Sequence, residues 1–247
     1  MSFICRPPYD SHNILKSIMD RSLDSVKERL LSVRDTVREG CRLVAVSKYH
    51  PVEMIQACYD VGQRIFGESH EQEIRMKHTV LPKDIEWHFI GHLQTNKVKY
   101  IAPYIKMIEA VDSLRLLREI EKQAARNDTT IDVLLEIKMA QEDTKYGMTI
   151  AECRQMLAEG EWRAFHHVRI CGLMTIATNT DDQDEIRREF MEAAQFFDEV
   201  KRDFFHDAPF FSERSWGMSD DYMIAQECRS TMVRIGTAIF GERHYDR

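Results

Sequence analysis

A lysine stands at the end of a short apolar run near the start of the chain. Leu43-Val44-Ala45-Val46 leads into Ser47-Lys48, and Pro51 follows shortly afterwards. Uniformly apolar, valine-rich runs are typical of strands buried on both faces of a parallel sheet, while proline suits the first turn of a helix. We therefore expect Lys48 at the carboxyl end of a buried strand, where parallel α/β proteins place their chemistry. An amine there tends to lose its proton and can form a Schiff base with an aldehyde, although the lysine stem could also pack while its ammonium reaches water.

Two small-residue turns near the other end of the chain could bind an anion. Gly217-Met218-Ser219 and Gly236-Thr237 each follow a predicted strand. Glycine lets backbone N–H groups approach an anion, and the two hydroxyls add donors. Each turn is common by itself, and Ser219 could instead cap a helix. Around the same rim as Lys48, the two turns would place a phosphate site opposite a Schiff-base amine, which is the combination that pyridoxal phosphate requires.

Arg234 precedes Gly236 by two residues, so strand alternation places both on one face of the sheet. A guanidinium beside the pyridine nitrogen would keep that nitrogen unprotonated, because arginine holds its own proton. An unprotonated ring is a poor electron sink, which argues against transaminase-like chemistry. The alternative role for Arg234 is a buried ion pair with a strand carboxylate such as Glu136.

The elements that would position these residues alternate along the whole chain. Eight strand-like runs each precede a helical segment, and an extra amphipathic helix at about residues 11–39 comes before them. This order predicts one (β/α)8 TIM barrel over about residues 41–243, in a single α/β domain 1–247 without a second β-domain. An open doubly wound sheet would need a glycine fingerprint after its first strand, and the sequence has none there. The predicted strands are 43–47, 64–67, 86–90, 105–111, 131–138, 168–174, 210–214 and 231–235.

Composition and spacing disfavour several other classes of protein. The formal net charge of -7 disfavours nucleic-acid binding, which needs a basic face. No apolar run reaches membrane-spanning length and residues 1–10 lack a signal sequence, so a cytoplasmic protein without membrane association is expected. The six cysteines are scattered without a CxxC pair, which indicates reduced thiols. His88 and His92 lie in a strand-like run without an HExxH motif, so we expect core or rim histidines rather than metal ligands.

Six motifs form a specific combination that spans nearly all of the chain after Cys41. They are Val46-Ser47-Lys48, Phe66-Gly67-Glu68, residues 87–97, Gly172-Leu173-Met174, Gly217-Met218-Ser219-Asp220-Asp221 and residues 233–241. Together they resemble the YggS/PROSC family of pyridoxal phosphate homeostasis proteins. The resemblance implies an alanine-racemase-like barrel of fold type III with pyridoxal phosphate as a Schiff base on Lys48. It further implies Ser219, Gly236 and Thr237 around the phosphate and Arg234 near the ring nitrogen, with Ser69 and Met218 completing the cofactor-binding set.

One residue and two segments depart from the pattern of that family. Ser69 stands where the family usually has asparagine, so a side-chain contact near the cofactor is shortened or lost. Arg214-Ser215-Trp216 replaces a Leu-Ser-Met segment, and Cys228-Arg229-Ser230 replaces a small, glycine-containing turn. We expect these changes to alter the fine geometry of the site more than the identity of its cofactor.

Three functions remain open at this point. The first is a carrier that holds pyridoxal phosphate on Lys48 and buffers it or delivers it to apo-enzymes, with a monomer expected. The second is a pyridoxal phosphate-dependent racemase or decarboxylase using the same lysine. Fold-related enzymes add a β-domain that helps to close the site, and the few residues after the last strand favour the carrier. The third is a Schiff-base lyase acting on sugar phosphates without a cofactor.

Overall fold

The computed structural model describes residues 11–139 and 146–242, with side chains described from residue 22 onward. Most of the loop predicted at 141–147, the end of the predicted barrel range at 243 and Cys5 lie outside the described residues. Within the described chain, the elements follow the predicted alternation of strands and helices.

Eight parallel strands close into a barrel, with neighbours paired in chain order and the last strand paired with the first. This confirms the predicted (β/α)8 TIM barrel. The strands are β1 (Arg42–Val46), β2 (Ile65–Glu68), β3 (Glu86–Phe89), β4 (Met107–Val111), β5 (Ile131–Lys138), β6 (Val168–Ile176), β7 (Glu213–Ser215) and β8 (Met232–Ile235).

The helices cover the outside of the barrel. They are α1 (Ser11–Thr36), α2 (Val52–Asp60), α3 (Glu71–Val80), α4 (Val98–Ile101), α5 (Leu114–Arg126), α6 (Ile150–Glu159), α7 (Gln183–Phe204), α8 (Tyr222–Glu227) and α9 (Thr237–Phe240). The extra helix α1 packs against α2 and α9. Arg29 fixes it to the closing segment by donating to the carbonyl oxygen of Ile239 at 2.7 Å.

Side-chain caps mark the start of two helices. Ser113 precedes α5 and accepts a hydrogen bond from the backbone N–H of Leu116. Thr149 and Glu152 form a complete capping box at the start of α6, which then ends at Gly160 with a left-handed backbone conformation. Such caps satisfy backbone N–H groups that have no partner inside the helix, so local sequence defines these helix starts.

The seventh strand is shorter and lies further along the chain than predicted. The prediction was 210–214, whereas β7 begins only at Glu213. Phe211 belongs to the preceding turn, where its N–H bonds the carbonyl oxygen of Ala208. Its fully buried ring stacks on Phe205, with ring centroids 4.3 Å apart. The two adjacent phenylalanines therefore have the composition of a strand, but Phe211 packs the turn before β7 and Phe210 is 42% exposed.

The inside of the barrel contains an apolar layer with a polar layer beyond it. Apolar packing inside the barrel comes from Val44, Met107, Ala110, Leu134, Cys171, Met174 and Met232. Glu109, Glu136 and Arg234 each stand two residues after a member of this cluster on the same strand, towards the carboxyl end. Because side chains alternate along a strand, these charged groups also point inward. Their burial is close to complete, with at most 6% of each residue exposed.

Gly172 allows β6 and β7 to approach each other, and its substitution tests the barrel closure. A Cβ atom at this position would lie 1.8 Å from the carbonyl oxygen of Glu213. We expect Gly172→Ala to lower the free energy of unfolding by about 3 kcal/mol or more, because backbone atoms of β7 would have to move. Gly40→Ala is the control. A Cβ atom at Gly40 would meet no atom of the described chain within 4 Å apart from its sequence neighbours, but the φ of +81° costs a residue with a side chain roughly 1–2 kcal/mol. Equal losses in urea denaturation would contradict this account of the contact.

Glu136 should make stability depend on pH. Burial, with a contribution from Asp112, raises the pKa of Glu136 from 4.5 to about 7, against the opposing charge of Arg234. The folded protein therefore binds this proton more tightly than the unfolded chain, and stability falls as pH rises through that window. The variant Glu136→Gln cannot ionise at this position. The free energy of unfolding of the variant minus that of the natural protein should therefore rise by about 2 kcal/mol from pH 5 to pH 8. Urea unfolding at both pH values measures this, and a difference that does not change with pH would contradict it.

Candidate functional site

Lys48 lies where the sequence predicts, in the turn that directly follows β1. Its residue is half-buried, and Pro51 ends the turn at the N-cap position of α2. Tyr49 has a φ of +66°, a left-handed conformation that a residue with a side chain adopts only under local constraint. Lys48 thus lies between the end of β1 on one side and, on the other, the left-handed Tyr49 and the start of α2.

The two predicted anion-binding turns meet at one hydroxyl group. Ser219 Oγ accepts hydrogen bonds from the backbone N–H groups of Gly236 at 3.3 Å and Ala238 at 3.4 Å. The alternative role of Ser219 as a helix cap is not what the structure shows, because α8 has Asp221 at its N-cap position. Thr237 is exposed and opens α9. The turns after β7 and β8 therefore form one cluster of hydroxyl and N–H groups.

The junction of β8 and β1 brings this cluster next to the lysine turn. Ala45 pairs with Ile235 in the register of the two strands. A Cβ atom on Gly236 would lie 3.3 Å from both the Cβ and the carbonyl oxygen of Val46. Lys48 follows Val46 by two residues, so it leaves the barrel beside the turn that contains Gly236. The absence of a side chain at Gly236 keeps this approach close.

Arg234 is buried in the polar layer and contacts groups on three other strands, β4, β6 and β7. Its Nη1 donates to the carbonyl oxygen and the hydroxyl of Ser215 at 2.8 and 2.6 Å, and its Nη2 donates to the carbonyl oxygen of Thr175 at 2.9 Å. The ion-pair partner is Glu109, with Nη1 3.8 Å from Oε2, rather than the Glu136 suggested by the sequence. Burial lowers the pKa of Arg234, and neighbouring carboxylates oppose that effect.

Glu109 links this arginine to a buried histidine. His88 Nδ1 lies 2.6 Å from Glu109 Oε1, and Ser215 donates to Oε2 at 2.6 Å. Burial acts to raise the pKa of Glu109, but the His88 contact and the Arg234 charge outweigh it, so the pKa lies below its usual value. His88 Nε2 and Glu136 Oε2 are buried without a hydrogen-bond partner among the described residues. The layer is thus ordered by its hydrogen bonds, and these two polar atoms could still bond a ligand.

Ser69 and Met218 stand on opposite parts of the rim. Ser69 is half-buried directly after β2 and lies against Gly91, where a Cβ atom would be 2.7 Å from the Ser69 Cβ. Met218 is 38% exposed, and its N–H donates to the Asp221 carboxylate at 2.5 Å. The structure therefore brings Ser219, Gly236 and Thr237 together, while Ser69 flanks the mouth from the β2 and β3 side.

Two of the departures from the family pattern contact each other. Trp216 is fully buried, and its Nε1 donates to the carbonyl oxygen of Cys228 at 3.2 Å. Ser230 Oγ donates to the carbonyl oxygen of Trp216 at 2.8 Å. The larger ring on one segment and the altered turn on the other therefore pack as a unit outside the cluster formed by Ser219 and Gly236.

Other sequence expectations concern metals, thiols and membranes. His88 is fully buried and His92 lies at the rim, 3.2 Å from Asp112. Over residues 11–139 and 146–242, no group of three His, Cys, Asp or Glu residues could hold a metal ion. The five cysteines in this part of the chain are free thiols. None of the helices in the described ranges is long and apolar enough to cross a membrane.

The sequence reasoning missed a set of buried charges close to Lys48. Glu68 at the end of β2 and Glu73 and Lys77 on α3 form it, and Lys77 is 1% exposed. The available signal was the spacing of Glu73 and Lys77 by four residues on a polar helix, which is usually a solvated pair. Nothing in that spacing shows that the pair is buried.

The chain is similar to known proteins over most of its length. Residues 22–244 match the family model described as alanine racemase, N-terminal domain. The pyridoxal phosphate homeostasis protein of Aquifex aeolicus is 35% identical over 230 residues, which cover 88% of this chain and 98% of that protein. The structure of PipY from Synechococcus elongatus with pyridoxal phosphate bound has 32% identity and a TM-score of 0.78, covering 87% of this chain and 100% of PipY.

A more distant similarity concerns the fold alone. An alanine racemase of Clostridium difficile 630 is 16% identical with a TM-score of 0.71, covering 91% of this chain and 57% of the racemase. The family match and the Aquifex protein decide the relationship, because both span most of the chain. This chain belongs to the alanine racemase N-terminal domain family and, within it, to the pyridoxal phosphate homeostasis proteins.

Proposed function

We propose that this protein binds pyridoxal phosphate reversibly through Lys48 and buffers or delivers it within the cell. The observation that carries the proposal is the meeting of the lysine turn with the turns joined by Ser219, at the junction of β8 and β1. A relative with 32% identity, PipY, has been solved with the same compound bound. The covalent attachment and the residue roles given below are parts of this proposal.

The residues of the cluster fit a phosphate group. The Ser219 oxygen accepts two N–H groups, and its own O–H has no acceptor among the described residues, so it can donate to a ligand. Thr237 adds an exposed hydroxyl, and Gly236 holds this turn close to Val46 at the start of the lysine turn. Such neutral donors at the start of a helical turn stabilise an anion without a salt bridge.

Arg234 is suited to face the ring nitrogen. Its protein contacts use three of the five guanidinium N–H donors, so two remain for a ligand. The fixed charge of arginine would keep the ring nitrogen unprotonated, and the Glu109 contact holds the guanidinium in place. Ser69 and Met218 would border the ligand from the rim.

Lys48 supplies the nucleophile. Lys48 would hold pyridoxal phosphate through the aldehyde that this cofactor would supply when bound, with the aldehyde oxygen leaving as water. Lys48 is half-buried and follows apolar Val46 by two residues, and its amine would react in the neutral form, because only an unprotonated nitrogen has a lone pair to donate. The bond is reversible by addition of water, which a carrier needs in order to release its cargo.

A carrier fits these residues better than the enzymatic alternative. Racemases and decarboxylases rely on the ring as an electron sink, and an arginine partner weakens that property. The relatives that cover most of the chain are named for pyridoxal phosphate homeostasis. Transfer to apo-enzymes, a monomeric state and a cytoplasmic location belong to the same proposal. Turnover of an amino acid by the purified protein, far faster than with free pyridoxal phosphate, would favour the enzyme instead.

Trapping the bound cofactor tests the nucleophile. Borohydride reduction after loading, followed by peptide mapping, should place the phosphopyridoxyl group on the peptide that contains Lys48. Lys48→Met should lose this product and the visible absorption band, because the amine is gone. Lys138→Met is the matched control, since Lys138 also ends a strand at the same face and is half-buried. Protein that stays colourless after loading, or label on another lysine of the natural protein, would contradict the proposal.

Removal of one hydroxyl tests the phosphate site. We expect Ser219→Ala to weaken pyridoxal phosphate binding by about tenfold, since a hydrogen bond to a charged group is worth roughly 1.5–3 kcal/mol. Binding of pyridoxal, which lacks the phosphate, should change by less than about twofold by the same reasoning. Thr149→Ala removes a helix cap and should lower stability without changing either affinity. Equal weakening of both compounds in equilibrium titrations would place the phosphate elsewhere.

A further inference from the structure

A fully buried lysine lies beneath the Lys48 turn, on the outer side of the barrel wall. Lys77 Nζ is 2.8 Å from the carbonyl oxygen of Ser47, 2.8 Å from Glu68 Oε1 and 2.6 Å from Glu73 Oε1. An ammonium group has three N–H donors, and each of them has an acceptor here. Lys77 is therefore fully hydrogen-bonded although only 1% of the residue is exposed.

This cluster holds the backbone on both sides of Lys48. On one side, the Ser47 hydroxyl donates to Glu68 Oε1 at 2.6 Å, and the backbone carbonyl oxygen of Ser47 accepts from Lys77. On the other side, the N–H of Tyr49 donates to Glu73 Oε1 at 2.6 Å. The same carboxylate oxygen of Glu73 also accepts from Lys77. Two peptide groups that flank Lys48 thus depend on one buried set of charges.

The contacts on both sides of Lys48 hold Tyr49 in its left-handed conformation. A φ of +66° is unfavourable for tyrosine, so the surrounding contacts must impose it. The Glu73 bond to the Tyr49 N–H fixes the peptide immediately after Lys48. Release of that peptide would allow the turn to relax to a commoner conformation, and the direction of the Lys48 side chain would change with it.

Strand alternation separates this cluster from the inside of the barrel. At Gly67 a Cβ atom would meet Val44 and Ile90, so this position faces inward. The next residue, Glu68, therefore points outward to α3, where Lys77 lies. The Phe66-Gly67-Glu68 motif thus places a carboxylate behind the lysine turn without adding a group to the cavity.

We infer that Lys77, with Glu68 and Glu73, is a positioning residue that fixes the backbone of residues 47–49 so that the Lys48 amine reaches its aldehyde partner. The inference rests on the proposed function of Lys48. A buried ion cluster contributes little to stability compared with apolar packing, but it fixes a geometry when all its partners are present. The competing explanation is that the cluster only attaches α3 to the barrel.

Lys77→Met tests the inference because methionine approximates the volume of the lysine stem and removes the three donors. We expect pyridoxal phosphate affinity and the rate of borohydride-trappable attachment to fall by about tenfold, since small displacements of a reacting group cost large factors. The visible absorption maximum of the loaded protein should also shift. Lys201→Met is the control, because Lys201 likewise donates to a buried segment, the carbonyl oxygen of Phe211 at 2.9 Å, below the barrel. It should lower stability and leave affinity and absorption unchanged.

A pair of substitutions at Glu73 protects the test against a variant that fails to fold. Glu73→Ala removes the acceptor for the Tyr49 N–H and should reproduce the loss of affinity and the spectral shift. Glu73→Gln keeps an acceptor oxygen and should restore part of both. Lys77→Met and Glu73→Ala proteins with wild-type affinity and absorption, together with lowered thermal stability, would overturn the positioning role. Natural protein that binds no pyridoxal phosphate would instead overturn the proposed function.

Discussion

Closure of the barrel between β8 and β1 is the constraint on which the site depends. The register that pairs Ala45 with Ile235 places the last turn of the chain beside the first strand, although nearly 190 residues separate them. Gly236 makes this approach possible, since any side chain there would meet Val46. The turn that follows β1 and the turns that follow β7 and β8 can then share one rim. The same closure removes the free sheet edges that an open sheet would have had to protect.

The polar layer beneath that rim is stable because its charges are mutually satisfied. Arg234 has hydrogen-bond partners on β6 and β7 and an ion-pair partner on β4, and Glu109 is bonded by His88 and Ser215. A lone charge at such depth would be costly, whereas a connected set holds each group in one orientation. His88 Nε2 and Glu136 Oε2 are the exceptions, since neither has a hydrogen-bond partner in the described chain, and burial raises the pKa of Glu136 to about 7. Glu136 is the group in this layer whose charge is most easily changed.

Much of the fold could be predicted from sequence because its signals are local. Apolar runs and helical spacing gave the order of elements, and β5 was predicted with the observed bounds. The position of β7 was wrong because Phe210 and Phe211 have strand-like composition, while the stacking of Phe211 on Phe205 is a tertiary contact. The grouping of Ser219 with Gly236 followed from strand order alone. The choice of Glu109 over Glu136 by Arg234 did not, because both carboxylates point inward and only their distances distinguish them. Lys77 could not be identified either, since its burial depends on α3 packing over the ends of β1 and β2.

The two faces of the barrel wall differ in how their hydrogen-bond donors are used. Groups on the inner face and the rim, such as Arg234 and Ser219, have donors to offer to a ligand. Lys77 on the outer face has none left, because each of its donors is used by the protein. Substitutions on the inner face should therefore alter which ligand is bound, whereas substitutions on the outer face should alter the orientation of the Lys48 side chain. Under the proposed function, the orientation of Lys48 could change without any change in the groups that hold the ligand. Lys48 links the two faces in the chain, since it follows inward-facing Val46 by two residues while its neighbours Ser47 and Tyr49 are bonded to groups on the outside.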